Sequence, residues 1–115
     1  MPKDFFLGAM KLHILRHADR EPVFGAALMR ELARHGYEDS PGTLYPTLHG
    51  LARDGLLVRE ERVEGGRLRK YYRATAKGRE TLALGREQVL ELVHELLELP
   101  VGNPPEQYAS GVKNG

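Results

Sequence analysis

The 115-residue sequence contains no cysteine and no tryptophan, and aromatic residues make up only 7% of it. Without cysteine, disulfides and thiolate metal sites are excluded, and a reducing cytoplasm is the expected compartment. Without tryptophan there is no indole platform for a flat effector, a role left to tyrosine or phenylalanine. No apolar run approaches the roughly 18 residues needed to span a bilayer. The N-terminus lacks a cationic segment followed by an apolar stretch and a cleavage site, so the expectation is a soluble intracellular protein. There is also no nucleophile with a suitable base, no phosphate-cradling glycine loop and no carboxylate pair in a pocket-forming context. Neither catalysis nor a cofactor is expected.

What is present is a one-domain length, with 41% hydrophobic residues. A core built from so short a chain is modest, and pairing with a second copy is a common way to complete its burial. Net charge is only +1, but its distribution is uneven. Residues 1–79 hold 15 Lys/Arg against 10 Asp/Glu, hence +5, and residues 80–115 hold 2 against 6, hence −4. A basic front and an acidic back suit a protein that faces phosphates on one side.

Hydrophobic spacing divides the chain. Leu7, Met10, Ile14 and Ala18 recur at helical intervals from Phe5 to Ala18, with His13, Arg16, His17 and Arg20 on the opposite stripe. A second helix is expected over 25–35, with Leu28 and Leu32 inward and Gly36 as its left-handed end. A third lies within 40–54, its stripe formed by Leu44, Leu48, Leu51 and Ala52, and Gly55 stops it. Its start has two readings: Ser40 caps with Pro41 first, or Thr43 caps with Pro46 in the opening turn. We favour a distorted start at Ser40 that becomes regular from Thr43. Strands follow from Leu56 to about Val63 and from Arg67 to Ala74, joined by Gly65-Gly66. Thr75 caps a long helix reaching about Leu99. Three helices, a hairpin and a long helix make a mostly α protein with a small β-hairpin, the α+β pattern of a winged helix-turn-helix.

The segment Gly42-Thr43-Leu44-Tyr45-Pro46-Thr47-Leu48-His49 resembles the recognition-helix signature of PadR-type transcriptional regulators. Gly55-Leu56-Leu57 follows at that family's distance, and Arg69-Lys70-Tyr71-Tyr72-Arg73-Ala74-Thr75 with Lys77-Gly78 is similar to its second wing strand and helix start. Gly25-Ala26-Ala27-Leu28 resembles its second helix. The resemblance spans roughly residues 5–99. It implies a winged-helix DNA-binding domain over 1–74 and a dimerisation helix over 75–99. Outside the resemblance, Pro100 and the Gly, Asn, Pro and Ser residues that follow read as a disordered tail over 100–115. The resemblance also implies a homodimer on a two-fold symmetric operator in double-stranded DNA, acting as a repressor with a possible small-molecule effector. One departure stands out: family members often carry a basic residue directly after the recognition-helix His, and here it is Gly50.

The outward positions of the third helix include Thr43, Tyr45, Thr47 and His49. They are the candidate base contacts, and no Arg, Asn or Gln stands among them for bidentate readout. In the wing, Arg67, Arg69 and Lys70 are candidate phosphate contacts. Glu60, Glu61 and Glu64 on the facing strand can consume part of that charge by pairing. Arg30 and Arg34 on the second helix are candidate backbone contacts, with ion pairing to Glu31 or Glu38 as the alternative. On the long helix Leu82, Val89, Leu92, Val93 and Leu96 form a stripe too wide for a two-stranded seam. They are assigned to the dimer interface together with Phe5 and Phe6. His13 and His17 have ligand-like spacing, with Asp19 nearby, but no third ligand is evident and no metal site is expected. The competing functional reading is a winged-helix protein-interaction module without DNA binding, which Gly50 and the near-neutral charge favour.

Overall fold

A computed structural model describes residues 3–37 and 41–99. In chain order the elements are α1 (Lys3–Arg20), β1 (Val23–Phe24), α2 (Gly25–Arg34), α3 (Pro41–Arg53), β2 (Leu57–Glu64), β3 (Arg67–Ala74) and α4 (Ala76–Leu96). The long 100–115 tail expected to be disordered lies outside the described residues, as does the Ser40 cap. The described chain forms two compact units divided inside α4, one up to Leu82 and one from Ala83.

The core of the first unit follows the helical spacing, except that in α1 Leu7 is only half-buried and Leu15 joins the buried side. Met10, Ile14, Leu15 and Ala18 come from α1, Leu28 and Leu32 from α2, and Leu44, Leu48 and Leu51 from α3. Tyr37 joins it from the turn after α2, and Leu57, Tyr72, Ala74 and Leu82 from the sheet and the start of α4. Leu82, read from the sequence as a dimer contact, therefore packs inside its own chain. A leucine at helical spacing looks the same in sequence whether its partner is intramolecular or a second copy.

Two helix ends are built alike. Gly36 (φ +88°) and Gly55 (φ +80°) occupy the left-handed region that favours glycine. At each, the next residue's N–H reaches back to an otherwise orphaned carbonyl: Tyr37 to Leu32 (3.0 Å) and Leu56 to Leu51 (2.9 Å). These caps set the exit of α2 toward α3 and of α3 toward the wing.

The sheet has three strands in the order β1-β3-β2, all antiparallel, and not the two of a bare hairpin. β1 is only two residues, Val23 and Phe24 opposite Tyr72 and Tyr71, too short for any alternation to announce it. Between β2 and β3, Glu64 faces Arg67, Arg62 faces Arg69 and Glu60 faces Tyr71. Thr75 caps α4 as expected, accepting from the Gly78 N–H at 3.0 Å, and its hydroxyl donates to the Gly55 carbonyl at 2.6 Å. Lys77 Nζ donates to the Asp54 carbonyl at 2.9 Å. The start of α4 thus clamps the end of α3. Among the described residues, no helix is long and apolar enough to cross a membrane.

Candidate nucleic-acid interface

Helix α3 is anchored from behind by Leu44, Leu48 and Leu51, none more than 3% exposed. Its opposite side carries Gly42, Tyr45, Pro46, His49 and Arg53, all exposed, with Thr43, Thr47 and Gly50 half-buried. Pro46 sits inside the helix. The N–H it lacks would have met the carbonyl of Gly42, near the helix start, where the loss of one bond is tolerable.

The four sequence-predicted base readers are not equivalent. His49 is exposed on the outward side. Tyr45 also faces outward, but its ring stands on Gly25, where an added Cβ would come within 2.6 Å of Cε1 and 2.7 Å of the hydroxyl oxygen. Gly25 thus lets the N-terminus of α2 support the ring. Thr47 donates its hydroxyl to the Thr43 carbonyl at 2.7 Å, which removes its donor from the outer surface. Thr43 is half-buried beside it.

Arg53 is the residue that sequence reasoning missed. A Cβ added at Gly50 would lie 3.5 Å from its Nη2, so the guanidinium reaches back over the glycine. The signal was available in the spacing, since residues three apart on a helix are neighbours. Its link to Asp54 is a loose 3.5 Å contact between two well-exposed groups. The cation that Gly50 lacks is thereby supplied from one turn further on.

In the wing, part of the charge is spent internally. Glu60 takes both Arg73 and Arg62, the latter at 3.3 Å, and Glu61 lies 3.9 Å from Arg59. Tyr71 donates to Glu64 at 2.5 Å, and that bond to a carboxylate raises its phenol above the usual range. Arg67 at the tip and Lys70 on the other face are exposed and make no ion pair among the described residues. Arg69 is half-buried, its guanidinium 4.8 Å from the centre of the Phe24 ring, so β1 holds it by cation–π contact. On α2, Arg30 is exposed, while Arg34 pairs with Glu31 at 3.1 Å.

The residues assigned from sequence to a dimer interface divide in the same way. Phe5 is exposed, and Phe6 packs edge-on against Tyr37 with ring centres 4.7 Å apart. Within 83–99, Leu84, Val89, Leu90, Leu92, Leu96 and Leu97 are all exposed, and Val93 is half-buried.

Comparison with known proteins identifies the family and the fold. The pattern of the family described as "Transcriptional regulator PadR-like family" matches residues 14–84. "Transcriptional regulator Rv3488" of Mycobacterium tuberculosis is 55% identical over 95 residues, spanning 83% of this chain and 89% of that protein. "Transcriptional regulator YqjI" of Escherichia coli is 36% identical over 95 residues, 79% of this chain, which spans 44% of that longer protein. A PadR family transcriptional regulator from Eggerthella lenta superposes with a TM-score of 0.71 at 35% identity, covering 84% of this chain and 85% of that one. A Streptococcus transcriptional regulator, at 21% identity and a TM-score of 0.77, shares the fold over 85% of this chain and 98% of its own. The chain belongs to the PadR-like family, whose members are DNA-binding transcriptional regulators and not enzymes.

Proposed function

We propose that this chain is a homodimeric repressor working in the cytoplasm. In this reading it sets α3 into the major groove of a two-fold symmetric operator and lays the β2–β3 wing on the flanking backbone. The observation that carries the reading is the two-sidedness of α3. Three leucines fix one side in the core, while Tyr45, His49 and Arg53 stand exposed on the other. His49 and Tyr45 are the proposed base contacts, with Thr43 and Thr47 in supporting positions. Arg53, Arg67, Arg69, Lys70 and Arg30 are the proposed phosphate contacts, and Arg34 contributes only if it leaves Glu31. The exposed apolar stripe of 83–99 supports pairing with a second copy, with Val89, Leu92 and Leu96 at its centre and Phe5 a further apolar contact.

Selection of bound duplexes from a random pool tests this directly. The expected consensus is two-fold symmetric, with half-sites about one helical turn, roughly 10–10.5 base pairs, apart. Recovery of random sequence with no enrichment at low salt contradicts it, and leaves a protein-interaction module as the account of the fold.

A further inference from the structure

Three of the five histidines, separated in sequence, meet at the junction of α1 and α2. His13 and His17 are one turn apart on α1, and His35 is the residue that caps the end of α2. One ligand nitrogen from each lies within 4.8 Å of the others. We propose that His13, His17 and His35 bind one divalent transition-metal ion of the class that prefers imidazole, namely Zn2+, Ni2+, Co2+ or Cu2+, and that this ion is the regulator's effector. The effector role rests on the DNA-binding reading above; the site itself does not.

The three rings stand near the spacing of a ligand set, with those of His13 and His35 stacked at 27°. Imidazoles bound to a tetrahedral ion at ~2.0–2.1 Å have ring centres about 5 Å apart and ligand nitrogens about 3.4 Å apart. Here the His13–His35 centres are 4.6 Å apart and the His17–His35 centres 6.2 Å, values that bracket the requirement. The nitrogens need to close by little more than an ångström, which ring rotation of the exposed His35 can supply. His17 gives an independent sign. Its Nε2 is shut away from solvent and has no hydrogen-bond partner among the described residues, a costly state for a polar atom unless something occupies it.

The surroundings suit a metal as well. Burial, then the neighbouring imidazoles and Arg16, hold His13 below the ordinary histidine range. Burial also lowers His17, against the pull of Glu31. Glu31, one turn before His35 on α2, is paired with Arg34 at 3.1 Å and is not one of the three ligands. Tyr37 closes the site from the side, its ring centre 5.2 Å from that of His13. His35, the exposed member, gives the cluster its side toward solvent. Because His35 immediately precedes the glycine that turns the chain toward α3, an ion there ties the exit of α2 to α1. It would bias how the recognition helix is presented.

Titration of the metal-free full chain with Co2+, followed by displacement with Zn2+, is the test. One equivalent per chain is expected, with visible ligand-field bands of a four- or five-coordinate nitrogen site that Zn2+ abolishes. His35→Gln removes an exposed ligand without opening the core, and should weaken binding at least about tenfold. His49→Gln, on α3, should leave it unchanged. The absence of bands, or equal affinity in His35→Gln and the parent, overturns the site. Duplex binding is then measured with and without saturating Zn2+. A change of at least about fivefold that disappears in His35→Gln supports the effector role, and metal binding with unaltered duplex affinity overturns that role. Failure to bind any duplex in either state contradicts the DNA-binding reading while leaving the cobalt result to stand alone.

Discussion

Gly50 and Arg53 together decide how much positive charge α3 presents. Gly50 lies in a helix, where glycine costs ~1 kcal/mol relative to alanine, and among the described residues the space over it holds only the flexible end of Arg53. Gly50→Lys is therefore expected to stabilise the fold by roughly 0.5–1 kcal/mol in a thermal melt. It should also steepen the salt dependence of duplex binding by about one unit. Arg53→Ala is expected to flatten that slope by about one unit and to weaken binding to all sequences alike. His49→Ala should instead relax selection at particular operator positions, at about 1–3 kcal/mol of discrimination, measured by competition between operator variants. The outward order of these residues was legible in the sequence, because Leu44, Leu48 and Leu51 fix the buried side. What the sequence withheld was the local chemistry: the Thr47 hydroxyl turned onto its own helix, Arg53 folded over Gly50, and His35 brought to His13 and His17. Such contacts depend on rotamers and on helix crossings, and periodicity carries neither.

Between elements, the start of α4 is the fastener of the domain. Gly78 has its α-carbon so close to the Leu56 carbonyl oxygen that a Cβ could be admitted only by moving backbone. Gly78→Ala is expected to destabilise by about 1–3 kcal/mol in denaturant unfolding, since an overpacked contact with backbone cannot relax by a rotamer change. The wing projects from this fastener with its acidic residues already engaged by Arg59, Arg62, Arg73 and Tyr71. Arg67→Ala should consequently weaken binding to all duplexes and flatten the salt slope by about one unit; unchanged affinity with altered choice among operators would make it a base reader. The four helices and the two long strands were legible because each has its own period and a glycine or proline at its border. β1 was not, since two residues have no period and it exists only because Tyr71 and Tyr72 offer an edge to pair with.

At the scale of the whole molecule, an uneven charge distribution and an uncovered apolar stripe belong together. The basic half carries α3 and the wing, and the acidic half carries the exposed Leu84, Val89, Leu90, Leu92, Leu96 and Leu97. Replacing Val89 and Leu96 with glutamate is expected to give a monomer in sedimentation. Duplex affinity should fall by about a hundredfold or more, because two linked half-site contacts become one. In the proposed function α3 and the wing hold DNA together, the one choosing sequence and the other adding charge. The most direct measurement is the affinity of the parent protein for its selected duplex and for a shuffled duplex across a series of salt concentrations. Binding to both should weaken along steep log–log lines, with the selected duplex held more tightly by about 10³-fold or more at every salt. Equal affinity for the two duplexes, or none for either at low salt, would contradict the account.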